Sequence, residues 1–344
     1  MTDRLDGPAA GSGTERLNEL AFAFKNAAAM TTAIELGLFT AISHGAGTDA
    51  EIARIIDLDA ETVERLAIVS RSLNLIEIVH GRYRNLPDVE RYLVRDSRTY
   101  FGDYLVYSVN QDWPEWTGLT QHVKGGEGAP AAEKYYLTLM QDAAAARRFT
   151  EAGYNASIAL AHRLAKRFDF SRFDTWLDLG GGSGCYAIAA CERNPDLRVT
   201  IMDLPNVVRV AEDFVAKHGL QSRIDTVAGN FFDALYPTGY DLISFITPLQ
   251  NYMPDEVMTL LRKVHAALPE GGAILIVDYM LRDDKSGPLD PALFNLQGIR
   301  GGKYLGRVNS GAEFRDFLGQ TGFVDVEVDW LMSHQLGRVT GWKR

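Results

Sequence analysis

Downstream of Phe173 the chain alternates short apolar runs with helical patterns, and this alternation constrains its fold more than any other feature. The runs are Thr175 to Leu179, Val199 to Met202, Asp225 to Ala228, Leu242 to Ile246 and Ala273 to Val277. Between them lie helical patterns at Tyr186 to Arg193, Val207 to His218 and Glu256 to Ala267. Strands apolar on both faces need cover on both, and crossover helices supply it when the strands run parallel. Two further strands, at Gly322 to Val328 and Gln335 to Trp342, suit an antiparallel edge. The predicted fold class is therefore α/β, a doubly wound, Rossmann-like sheet of seven strands.

Directly after the first run comes Asp178-Leu179-Gly180-Gly181-Gly182-Ser183-Gly184, which opens a helix. Glycines at such a turn let backbone approach a ligand closely. The spacing is G-x-G-x-G, and a dinucleotide fingerprint would need glycine where Cys185 stands. Asp203 ends the second run, roughly 20 residues beyond the glycines, where a carboxylate accepts ribose hydroxyls. Loop and acid together point to an adenosine-containing ligand.

The N-terminal half is of another kind. Apolar residues recur at helical spacing from Phe22 to Phe39, with Gly37 near the end. Capped helix starts follow at Thr48-Asp49-Ala50-Glu51 and at Asp59, and then an alternating run from Ile76 to Tyr83 that turns at His80-Gly81. Helix, turn, helix and hairpin make a winged-helix pattern. Phosphate binding needs clustered Lys and Arg, whereas this chain has 35 basic and 45 acidic residues and a formal charge of −10. The second helix sets Asp59, Glu61 and Glu64 against Arg65 and Arg71. The module reads as structural, with no nucleic-acid partner.

Neither an apolar signal segment nor a long charge-free stretch is visible, so no membrane partner and a cytoplasmic location are expected. Cys185 and Cys191 read as packing residues, and no metal site is expected. Between Tyr100 and Tyr154 the chain is rich in aromatics. Most should be core, with Tyr104, Tyr107, Trp113 and Tyr136, beside Met140, left to line a small-molecule pocket. The predicted boundaries are a disordered lead-in at 1–15, a helical winged-helix domain at 16–110, a helical linker or lid at 111–170 and the α/β domain at 171–344.

These pieces, in this order, resemble the class I S-adenosylmethionine (SAM) dependent methyltransferases. Within them the chain is similar to the small-molecule O-methyltransferases with an N-terminal winged-helix dimerisation domain, and the resemblance spans nearly the whole chain. It implies SAM as cofactor, a homodimer formed through the N-terminal domain, and a small acceptor from secondary metabolism. Carried over residue by residue, it puts the methionine moiety at Asp178, Gly180, Gly182 and Gly184, the ribose at Asp203 and Leu204, and the adenine at Asn230 and Phe231 of Gly229-Asn230-Phe231-Phe232. Leu268-Pro269-Glu270-Gly271-Gly272 matches the segment before the fifth strand, and Thr247 and Tyr154 complete the cofactor set.

Two positions depart from the family. Asn230 stands where an acid usually accepts from the adenine amino group; its amide oxygen can accept the same bond. Leu249-Gln250-Asn251-Tyr252 replaces Leu-His-Asp-Trp, whose His removes the acceptor proton, and an amide cannot act as a base near neutral pH. His122 is the nearest substitute among the histidines.

Methyl transfer is an in-line displacement governed by orientation and desolvation, so a nucleophilic acceptor needs little base help. Gln250 and Asn251 are the predicted catalytic residues, orienting an amine, a carbon or an acidic hydroxyl, with Tyr252, Asn295 and Gln297 beside the acceptor. Capping of the helix near Pro254 is the competing role for Gln250 and Asn251. Two other readings are a SAM enzyme that cyclises SAM or uses its cation to promote rearrangement, and a SAM-sensing DNA-binding regulator.

Overall fold

The computed structural model describes residues 14–97, 99–125 and 135–344, apart from the side chains of Gln111, Tyr135 and Tyr136. Nearly all of the expected lead-in, and most of the glycine-rich stretch at 124–128, lie outside the described residues. The chain divides into two compact units, Met1–Trp116 and Thr117–Arg344.

The first unit begins with α1 (Glu15–Leu36), which ends at Gly37 in a left-handed conformation, and continues with α2 (Leu38–Ser43). Next come α3 (Asp49–Ile56) and α4 (Ala60–Ser72), capped by Thr48 and Asp59, whose side chains accept from the Glu51 and Thr62 N–H groups. The hairpin of β1 (Ile76–Val79) and β2 (Arg82–Asn85) follows, then α5 (Pro87–Tyr92) and α6 (Gly102–Thr117). Helix, helix and hairpin are thus in the order read from the sequence. Leu38, Phe39, Ile52, Val63 and Ile76 form this unit's own core.

The second unit opens with α7 (Leu119–Lys124), α8 (Tyr135–Leu139) and the long α9 (Ala143–Arg167). The α/β alternation then runs β3 (Thr175–Leu179), α10 (Cys185–Arg193), β4 (Arg198–Asp203), α11 (Pro205–Lys217), β5 (Ile224–Ala228), β6 (Leu242–Ile246), α12 (Pro254–Ala267) and β7 (Ala273–Leu281). After it come α13 (Leu289–Gln297), a small hairpin of β8 (Ile299–Arg300) and β9 (Lys303–Tyr304), β10 (Asn309–Ser310), α14 (Gly311–Gln320), β11 (Val324–Met332) and β12 (Leu336–Trp342). The segment expected as a separate lid at 111–170 is therefore shared: α6 closes the first unit, and α7 to α9 belong to the second.

Main-sheet order is β11-β12-β7-β6-β3-β4-β5, with short β10 paired to β7. From β7 to β5 the strands are parallel, while β12 lies antiparallel on β7 and β11 antiparallel on β12. Side chains alternate between the two faces. Trp176, Leu242 and Leu275 pack with α9 and α10 on one; Leu177, Ile243 and Ile274 pack with α12 and α14 on the other. Asp178 and Ser244 share the Trp176 face, and Asp278 the Ile274 face.

Leu177 has no exposed surface, so Leu177→Ala should cost about 3 kcal/mol through lost transfer energy and a cavity. Urea unfolding should show a lower midpoint at unchanged slope; an unmoved midpoint would show that the sheet core collapses around the gap.

Candidate active site

Parallel strands gather their C-terminal ends on one edge, and the loops leaving β3, β4, β5 and β6 meet there. The Gly180 N–H donates to the Met202 carbonyl at 2.8 Å, and the Gly229 N–H to that of Asp203 at 2.9 Å. Gly180 has φ of 72°, and a Cβ there would stand 3.1 Å from the Phe231 ring. A side chain at this point would push the loop after β3 away from the loop after β5.

At the base of the glycine loop, Asp178 is fully buried. The Ser244 hydroxyl donates to its Oδ1 at 2.6 Å and receives the Trp176 indole N–H at 2.8 Å. Oδ2 has no partner among the described residues. Burial pushes this carboxyl up to about 7, with the Asp203 charge adding to the rise. A buried carboxylate oxygen lacking a donor suits a cationic group such as the ammonium of a bound amino acid.

Asp203, 2% exposed, ends β4. It accepts the Gly182 N–H on Oδ2 at 2.8 Å and the Leu204 N–H on Oδ1 at 2.7 Å. The two N–H groups hold the carboxylate in one orientation at the C-terminal end of β4. The glycine loop and the two buried acids fit the methionine and ribose parts of SAM.

Asn230 behaves differently from the simple amide acceptor expected. Its Oδ1 accepts the Phe232 N–H at 2.9 Å, and its Nδ2 donates to Asp233 Oδ2 at 2.8 Å, so the side chain folds back on its own loop. Phe231 meets Phe245 and Tyr252 edge to face, and Phe232 stacks on Tyr252 at 5.7 Å. Tyr252, predicted on the acceptor side, is thereby packed into the Phe231 and Phe232 cluster.

After β6 the backbone is strained: Thr247 has φ of 66°, uncommon for a β-branched residue. Leu249–Asn251 then form one 3-10 turn, and α12 starts beyond it with Met253 at its N-cap. The Met253 N–H is satisfied by Glu256 at 2.8 Å, so the capping role weighed for Gln250 and Asn251 does not hold. Instead the Gln250 N–H donates to Asp278 Oδ2 at 3.1 Å, and the Tyr279 N–H to Oδ1 at 2.7 Å. Asp278 is fully buried, which pushes its carboxyl up to about 8 against these backbone donors.

Gln250 Oε1 is buried with no partner among the described residues, while Asn251 is exposed. The turn is covered by Gly306, where a Cβ would stand 2.4 Å from the Gln250 carbonyl oxygen. Asn295 Oδ1 accepts the Val308 N–H at 3.0 Å and so fastens this covering loop to α13, which ends at Gln297. The sequence reading missed Asp278, although an acid inside the otherwise apolar Ala273–Leu281 strand was the signal for it.

Tyr154, on α9, stacks on Phe214 at 4.0 Å and shares a 2.9 Å hydrogen bond with His218 Nε2; burial pushes its phenol up to about 12. Met140 packs with Leu139, Leu204 and Val207 beside the start of α11. Tyr104, Tyr107 and Trp113 lie on α6 in the first unit, Trp113 edge-on to Phe24. Tyr136 lies on α8, its side chain outside the described residues. His122 is buried on α7 with Nδ1 unpartnered among the described residues.

Comparison with known proteins gives the family and the fold. Residues 116–324 match the O-methyltransferase domain family, and residues 18–95 the O-methyltransferase dimerisation domain family. The chain is 32% identical to a 3-hydroxy-5-methyl-1-naphthoate 3-O-methyltransferase of Streptomyces sahachiroi, covering 90% of this chain and 89% of that protein. It is 27% identical to the N,N-dimethyltransferase OxyT of Streptomyces rimosus, over 89% of this chain and 90% of that one. The crystal structure of human N-acetylserotonin methyltransferase in complex with SAM shares the fold, with a TM-score of 0.85 at 24% identity, covering 98% of this chain and 99% of that one.

Two outcomes follow from the buried acids. Asp203→Ala should weaken SAM at least tenfold in a calorimetric titration, the loss of charge-assisted hydrogen bonds; unchanged affinity would remove Asp203 from the cofactor site. Between about pH 4 and 7 folded Asp178 keeps a proton that the unfolded chain has released, so its contribution to stability falls as pH rises through that window. The melting temperature of Asp178→Asn relative to wild type should therefore climb across the window and level off above it. A flat difference would mean the carboxyl ionises normally.

Proposed function

Because the chain belongs to the O-methyltransferase family and is a SAM-dependent methyltransferase of small molecules, we propose that it methylates an oxygen or nitrogen by holding that atom in line, with no histidine to deprotonate it. The family comparisons favour methyl transfer over SAM cyclisation, rearrangement or DNA-bound sensing. Bound SAM supplies an electrophilic methyl group on a sulfonium. Asp178 faces the methionine ammonium, the Gly180, Gly182 and Gly184 backbone gives the cofactor close approach, and Asp203 accepts the ribose hydroxyls with Leu204 packed beside it. Asn230 and Phe231 bound the adenine and Thr247 flanks the cofactor, whereas Tyr154 is engaged by Phe214 and His218 at the far end of α11 and leaves the cofactor set.

The observation that carries the acceptor reading is Gln250 Oε1, a buried carbonyl oxygen without a donor among the described residues. Leaving it unmet costs about 1–3 kcal/mol, so an incoming N–H or O–H has a place prepared for it. A hydrogen bond to this oxygen aims the acceptor lone pair and raises its electron density without full proton transfer. An acidic phenol or an amine suits such a site better than a weakly acidic alcohol. Asn251 aids orientation from the rim, and Asn295 and Gln297 act through α13 and the loop that covers the turn. The S. sahachiroi relative is named for a naphthoate 3-O position and the S. rimosus one for N,N-dimethylation. Naphthols and aromatic amines of secondary metabolism are accordingly the classes to assay first.

The homodimer is formed, in this reading, through the N-terminal unit. Residues 18–95 match the dimerisation family, and α1 exposes Leu17, Leu20, Phe22 and Phe24. The helix and hairpin segment keeps a winged-helix topology without a phosphate-binding role: Arg65 pairs with Glu61, Arg82 with Glu51 and Arg84 with Glu77. No helix among the described residues is long and apolar enough to cross a membrane. The two cysteines are free and buried, as suits a cytoplasmic setting.

With SAM and a reactive naphthol or aromatic amine, the product nucleoside should be S-adenosylhomocysteine; methylthioadenosine would overturn methyl transfer. Gln250→Leu should lower kcat about tenfold or more, the value of one lost hydrogen bond to the reacting group, with SAM affinity within about twofold. An unchanged kcat would sink the orienting role. Phe24→Glu should shift the sedimenting species from dimer to monomer, and a wild-type monomer at micromolar concentration would refute the assembly.

A further inference from the structure

Lys263 lies on α12, outside every motif singled out in the sequence, yet its ammonium reaches the loop after β5. It donates to the Phe231 carbonyl at 3.0 Å and to the Phe232 carbonyl at 2.6 Å, and it stands 4.5 Å from the centre of the Tyr236 ring. Two successive carbonyls turned towards one cation fix two successive peptide planes. In a trans peptide the N–H points away from its C=O, so the Phe232 and Asp233 N–H groups face the other way. There they meet Asn230: the Phe232 N–H donates to Asn230 Oδ1 at 2.9 Å and the Asp233 N–H to the Asn230 carbonyl at 3.0 Å.

The loop is thus gripped from both sides, by Lys263 on its carbonyls and by Asn230 on its amides. Its Phe231 ring is also the group pressed closest to Gly180. We propose that Lys263 is a positioning residue for the cofactor, setting the Asn230–Asp233 backbone so that the loop is ordered for the adenine before SAM arrives. The assignment rests on the reading of Asn230 and Phe231 as the adenine wall. Burial lowers the pKa of this ammonium and the nearby Asp233 charge opposes the shift, while the two carbonyls and the Tyr236 ring face give the cation its partners.

The test uses the full-length enzyme and two probes, S-adenosylhomocysteine and its 6-oxo analogue S-inosylhomocysteine, measured by calorimetry beside steady-state kinetics. Lys263→Met should raise the KM for SAM about tenfold, with kcat and the acceptor KM within about twofold, and should erode the preference for adenine over hypoxanthine several-fold. Lys263→Arg, which keeps a cation within reach of the carbonyls, should restore most of both and serves as the folded reference. A Lys263→Met enzyme that melts earlier but keeps its SAM KM and its base preference would make Lys263 merely structural and overturn the proposal. Asn230→Ala separates the two levels. If it loses base preference while Lys263→Met does not, the positioning role fails alone; if it changes neither affinity nor preference, the adenine reading fails and takes the proposal with it.

Discussion

A carboxyl group denied water must find donors or hold its proton, and Asp178 does part of each at the centre of the sheet. It sits on β3, between β4 and β6, where a misplaced charge would disturb three strands at once. Ser244 on the neighbouring strand serves one oxygen and is itself held by Trp176, so the arrangement depends on strand register. A slip by one residue would send Ser244 to the opposite face and strand the acid. The glycine loop folds over this group, which ties the register of the sheet to the shape of the ligand edge.

From that point the site is built mostly of backbone. Asp203 is oriented by two N–H groups, the turn after β6 is bound to Asp278 through the Gln250 N–H, and Lys263 holds the loop after β5 by its carbonyls. Side chains at such points act by fixing peptide planes, and the rigid strands beneath carry the precision. Thr247 concentrates the strain, at the step from β6 into the turn that carries Gln250.

Legibility from sequence followed the same division. Strands and crossover helices could be read because apolar runs and helical periodicity are local properties, and the Thr48 and Asp59 caps act over three residues. The apolar run predicts a strand ending at Val277, yet β7 continues to Leu281, and the Tyr279 and Gln250 N–H groups supply donors to the buried Asp278 carboxyl within it. Asn230 and Gln250 were identified as departures from the family pattern, but their present partners were not foreseeable. An amide that folds back on its own loop and one left without a donor look alike in one dimension. Lys263 was invisible for a related reason: its partners are carbonyls 31 and 32 residues away, which every residue type carries.

Gly306 brings the backbone of the covering loop into contact with the Gln250 carbonyl, where no side chain fits. The backbone of the loop and the backbone of the turn therefore fix each other's position directly, with no side chain between them. A larger residue at 306 would lift the loop off the turn and pull on the Asn295 contact that fastens the loop to α13.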